Sequence, residues 1–140
     1  MANVEQPHIF VVEDEEGVAE LVRDLLEAEG FTVTSALHPN ATRAIDPGNP
    51  PDLVLIDMML PSQDGVKLAG HLRQSGLSHT PMIAMSASRI MLHFASESGL
   101  FQEVVAKPFD LASLLAAVRR NVGLYVTWPN PGGTARATGP

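Results

Sequence analysis

Five polar residues stand where apolar runs stop. In LVLIDMMLP, residues 53–61, branched apolar residues close on Asp57, with Met58, Met59 and Leu60 behind it and Pro61 ending the stretch. HIFVV closes on Glu13 and Asp14, PMIAMSA carries Ser86 near its end, and EVVA closes on Lys107 and Pro108. Three acids brought into one crevice repel one another, and holding them ionised calls for a cation. An all-oxygen donor set suits a partly hydrated Mg2+ better than zinc, which takes His or Cys. A carboxylate beside Mg2+, a lysine and a hydroxyl can attack an activated phosphorus and carry the phosphoryl group as an acyl phosphate. The cation and Lys107 would then neutralise charge on the equatorial oxygens in the transition state.

That chemistry needs elements that bring the run-ends to one edge. After the β-rich run His8 to Val12, the apolar residues Val18, Leu21, Val22, Leu25 and Leu26 repeat at helical spacing. Gly30 stops that helix, and Phe31 to Ala36 reads as a second strand. The stretch 37–51 is rich in Pro and Gly, so its element between Asn40 and Ile45 is at best a short helix. The alternation then resumes. DLVLID is a third strand, DGVKLAGHLRQ a helix, Pro81 to Ala87 a fourth strand, Arg89 to Ser98 a helix and Glu103 to Ala106 a short fifth strand. Asp110 caps a helix that buries Leu111, Leu114, Leu115 and Val118 before Gly123. Strands that are continuous apolar runs, each followed by a helix, predict a doubly wound parallel α/β sheet of five strands with about five helices, covered on both faces. Ligands of such sheets bind outside the carboxyl ends of the strands, where all five polar groups fall.

At 140 residues with 45% apolar composition the chain suits one folded unit, expected over residues 1–122, with 123–140 a Pro/Gly-rich C-terminal tail or linker stub. Within that tail, Leu124, Tyr125, Val126 and Trp128, the only tryptophan, are apolar enough to dock on the domain or on a second copy. No cysteine is present, which excludes disulfides and thiolate metal sites, and no run resembles a signal peptide or membrane span. The expected compartment is the cytoplasm. A net charge of -7, with nine of the sixteen acids in the first thirty residues and no basic cluster, offers nucleic acid or anionic lipid little to bind. The five histidines lack ligand spacing and are assigned to packing or surface positions.

VVED after the first strand, DMMLPSQDG around Asp57, MSA at the fourth strand and KPF at the fifth, in this order and spacing, resemble a response-regulator receiver domain of two-component signalling, chemotaxis-regulator-like, from about His8 to Val122. The resemblance implies the flavodoxin-like strand order 2-1-3-4-5. It implies that Asp57 is the phosphoacceptor and that Asp14, Asp57 and the backbone carbonyl of Met59 bind Mg2+, with Glu13 assisting through a metal-bound water. Ser86 would turn towards the phosphoryl group and Lys107 pair with it. The partners so implied are a histidine kinase or phosphotransfer protein, a downstream effector or detached output domain, and a second copy of the chain.

Departures from the family pattern carry their own expectations. Glu13 stands where Asp is usual, and its extra methylene displaces the carboxylate. Met59 and Ser88 occupy positions that in this family tune phosphoryl lifetime, and an apolar Met59 offers no handle to an attacking water. Val104 lies where a Tyr or Phe commonly swings with the switch hydroxyl. A receiver that works by docking or dimerisation without phosphorylation is therefore an alternative. An aspartyl phosphatase fits less well, because those enzymes are similar to one another in a general-acid Asp at the position held here by Met59. A flavin-binding module would need a Gly-rich phosphate loop where this chain has EDEEG.

Overall fold

The computed structural model describes residues 6–38, 40, 43, 45–60, 64–108 and 110–123. Five strands form one parallel sheet: β1 (His8–Val12), β2 (Thr32–Ala36), β3 (Leu53–Asp57), β4 (Met82–Ser86) and β5 (Glu103–Ala106). Their spatial order is β2-β1-β3-β4-β5. Four helices are described, α1 (Glu16–Ala28), α2 (Gly65–Gln74), α3 (Arg89–Ser98) and α4 (Leu111–Asn121). The count is one below the expected five. The short element expected between Asn40 and Ile45 falls on a stretch of which 41, 42 and 44 lie outside the described residues, as does the tail from 124 to 140.

The sheet divides the core in two because strand side chains alternate. Phe10, Val12, Val54, Ile56, Met82 and Ala84 face α2 and α3. Ile9, Val11, Leu53, Leu55, Ile83 and Met85 face α1 and α4. β3 and β4 are buried at every position, as central parallel strands covered on both sides must be, whereas β2 and β5 are only partly buried and form the edges.

Helix starts follow local chemistry. Asp64, Ser88 and Asp110 accept hydrogen bonds from the first-turn N–H groups of α2, α3 and α4, in the manner of N-caps. Gly30 and Gly99 take the left-handed conformation (φ 98° and 73°) that ends α1 and α3. Behind the sheet, the Arg73 guanidinium donates to the carbonyls of Leu77, Thr80 and Leu100, tying α2 to the loops that enter β4 and β5. No described helix is long and apolar enough to cross a membrane.

Candidate functional site

In the order β2-β1-β3-β4-β5 the chain leaves β1 towards one edge and β3 towards the other, and the two departures open a crevice between the carboxyl ends of these strands. Glu13 and Asp14 follow β1, and Asp57 is the last residue of β3. One carboxylate oxygen from each lies within 4.8 Å of the others. Lys107, just after β5, places its Nζ 2.6 Å from Glu13 Oε1 and 3.3 Å from Asp57 Oδ2. Asp57 Oδ1 accepts the Met59 N–H at 3.0 Å. Ser86, the last residue of β4, is fully buried, and its Oγ accepts the Ser88 N–H at 3.0 Å.

The three acids have different surroundings. Asp14 is exposed, Asp57 is 4% exposed and Glu13 is 0% exposed. Burial pushes the Glu13 carboxyl up to about 7, against the pull of the Lys107 ammonium and with Asp57 adding to the rise. Burial alone would lower Lys107, but the Glu13 and Asp57 carboxylates outweigh it and raise the ammonium above its ordinary value. Glu13 spends its other oxygen, Oε2, on the Glu15 N–H at 3.2 Å.

The sequence expectation placed Glu13 with the cation. The structure adds a second role, in which its longer side chain is the nearer of the two carboxylate partners of Lys107. That contact joins residues 94 apart in the chain and leaves no local signal. Among the described residues Glu13, Asp14 and Asp57 are the one acidic group close enough to share an ion, and no histidine joins them. An all-carboxylate set with one solvent-facing member fits a partly hydrated, oxygen-seeking cation such as Mg2+.

Met59 is 58% exposed and Val104 38%, so both departures from the family pattern are solvent-facing. Sequence reading missed why Gly65 must follow Asp64. A Cβ there would lie 2.8 Å from Met58 Sδ, 2.9 Å from Met58 Cα and 3.0 Å from the Asp57 carbonyl oxygen. The helix presses directly on the strand end that carries the acidic site.

Sheet and crevice together define a doubly wound α/β protein of flavodoxin-like order, with an acidic pocket where a flavin-binding relative would need a phosphate-accepting loop. Comparison with known proteins names the family. The response regulator receiver domain model matches residues 9–119, and the chain belongs to that family, which serves two-component systems. It is 34% identical over 117 residues to the transcriptional regulatory protein CseB of Streptomyces avermitilis, covering 82% of this chain and 48% of that protein. To the phosphate regulon transcriptional regulatory protein PhoB of Rhizobium meliloti it is 36% identical over 118 residues, covering 81% and 51%. The chain thus spans about half the length of these relatives. The receiver domain of the Francisella response regulator 1452 superposes with TM-score 0.73 at 27% identity, covering 84% of this chain and 97% of that one. The response regulator TrrA of Thermotoga maritima, in complex with Mg2+-BeF, gives 0.71 at 26%, covering 82% and 98%.

Proposed function

We propose that the chain is a phosphorylation-controlled switch whose residue Asp57 accepts a phosphoryl group from a histidine kinase or phosphotransfer protein. The observation that carries the reading is the position of Lys107, whose ammonium lies 3.3 Å from Asp57 Oδ2 at the mouth of a three-carboxylate crevice. An Asp57 oxygen attacks the phosphorus, the bond from phosphorus to the donor's leaving atom breaks, and an acyl phosphate remains on Asp57. Lys107 pairs with the added charge, and the Ser86 hydroxyl donates to a phosphoryl oxygen. Glu13, Asp14, Asp57 and the Met59 backbone carbonyl would hold Mg2+, which when bound supplies positive charge to the phosphoryl oxygens. Met59, being apolar, positions no water for hydrolysis, so the acyl phosphate decays slowly.

The readout follows from population shift: phosphorylation favours one of two conformations and so changes the face made by α3, β5 and α4. The partner on that face is an effector or a detached output domain, and the working compartment is the cytoplasm. In domain terms, residues 1–122 form the receiver and 123–140 a tail or linker.

Intact mass measured after incubation with Mg2+ and acetyl phosphate tests this. The parent gains one phosphoryl adduct that chelator prevents and that persists after the donor is removed, while Asp57→Asn gains none. A folded parent with no adduct leaves the docking or dimerisation module, which the exposed Val104 at the switch position favours, as the better account.

A further inference from the structure

The chain has no cysteine, so its six methionines carry all of its sulfur. A thioether on the surface is open to two-electron oxidation by peroxides, whereas one packed in a core is shielded. Met58, Met82 and Met85 are 0% exposed, and Met91 is partly buried against the α2/α3 core. Met59 is 58% exposed, and among the described methionines it alone stands largely in solvent.

Main-chain contacts pin residue 59 next to the acidic crevice. The Met59 N–H donates to Asp57 Oδ1 at 3.0 Å, and Met59 forms an isolated antiparallel bridge with Asp64. The preceding Met58 carbonyl accepts the Gly65 N–H at 3.1 Å. Held by Asp57 on one side and by the start of α2 on the other, the backbone keeps its place when the sulfur changes. As a thioether, the side chain offers water at the crevice only a weak acceptor. A sulfoxide would put a strongly polar oxygen there.

We infer that Met59 is a reversible oxidation site and, resting on Asp57 as the acceptor proposed above, that its sulfoxide shortens the life of the acyl phosphate. The Met59 sulfur attacks an oxygen of a hydroperoxide: an S–O bond forms and the O–O bond breaks. The sulfur gives up two electrons, and the peroxide leaves as alcohol or water with its proton. The sulfoxide oxygen then accepts a hydrogen bond from a water beside the phosphoryl group and directs the water's lone pair at phosphorus. The bond from phosphorus to the Asp57 oxygen breaks, which returns the carboxylate and releases phosphate carrying the water's proton. One such hydrogen bond made in the transition state is worth about a tenfold rise in hydrolysis. Under peroxide the switch therefore resets faster, and methionine sulfoxide reductase with a thiol as electron donor restores the slow state.

Hydrogen peroxide supplies the test in the intact chain. Peptide mass mapping of the treated, still folded protein should find the added oxygen on Met59 ahead of Met58, Met82, Met85 and Met91. Treated and untreated samples are then loaded with acetyl phosphate and Mg2+, freed of donor, and followed by intact mass. The oxidised parent should lose its phosphoryl group about tenfold faster, the worth of that one hydrogen bond, and reductase with dithiothreitol should reverse the change. Met59→Leu should decay at one rate with or without peroxide, which controls for oxygen added elsewhere, and Met59→Gln, with its amide oxygen, should decay fast untreated. Oxidation that reaches the other four methionines first overturns the inference, as does an oxidised parent that decays no faster, or a Met59→Leu that accelerates equally. A chain that takes up no phosphoryl group in any sample overturns the acceptor reading and the rate effect with it, while the peptide map still decides whether Met59 is the oxidation site.

Discussion

At the residue scale the site depends on fit as much as on charge. Gly65 has no room for a side chain because Met58 Cα and the Asp57 carbonyl lie within 3.0 Å of where a Cβ would sit. The Met58 sulfur can swing aside, but the two backbone atoms cannot move without shifting Asp57. Gly65→Ala is therefore expected to destabilise the fold by about 1–3 kcal/mol, the range for overpacking a filled site. Urea unfolding measures that loss, and phosphodonor labelling of the folded variant should be slower than that of the parent. An unchanged midpoint with unchanged labelling would show that the strand end tolerates displacement. The sequence opens the helix DGVKLAGHLRQ at Asp64 and Gly65, because helix starts are written in neighbouring residues. It was silent on the close approach, which depends on how α2 settles on β3. The Glu13 to Lys107 contact was hidden for the same reason, although both residues were marked as functional.

At the scale of elements, most boundaries follow local signals, and those of β5 and α3 agree with the expectation residue for residue. The stretch 37–51 is harder to read because Pro and Gly interrupt any period, which leaves propensity without packing to reinforce it. Links between elements leave no pattern at all. Glu103 at the start of β5 receives Arg120 Nη2 at 2.8 Å, Arg120 Nε at 3.0 Å and Asn121 Nδ2 at 2.5 Å from α4. The Arg120 hydrogen bonds, then that of Asn121, hold the Glu103 carboxyl below its ordinary 4.5 despite partial burial. A carboxylate whose folded value is lowered binds protons less readily in the folded state than in the unfolded one. Its stabilisation is thus present above about 4.5 and fades as pH falls through the lower folded value. Thermal melts should accordingly show Glu103→Gln less stable than the parent at pH 7, with the two converging in acid below that range. A gap that stays constant down to the acid limb would mean that the side chain contributes through shape and not through charge.

At the scale of the whole molecule, the alternating sheet makes its two cores inseparable. Phe10 and Val12 belong to the α2/α3 side while Ile9 and Val11, between and beside them on the same strand, belong to the α1/α4 side. Continuous apolar runs in the sequence already implied a sheet covered on both faces, whereas the strand order came with the family resemblance and not from the runs themselves. Because each central strand serves both cores, loosening one face frees the strands that hold the other. Leu26 is fully buried under α1, and Leu72 on α2 is 5% exposed on the opposite side. Leu26→Ala and Leu72→Ala should each cost about 2–5 kcal/mol, the range for emptying a buried leucine site. Sites on opposite faces share no partner, so the double variant should lose close to the sum. Each variant should nevertheless unfold in one step, with calorimetric and van't Hoff enthalpies equal. Hydrogen exchange sharpens the test: Leu26→Ala should lower the protection of the slowest amides in α2 as much as in α1. Protection lost from α1 and α4 alone, or a melt in two stages, would show that the two faces unfold separately and that the sheet does not couple them.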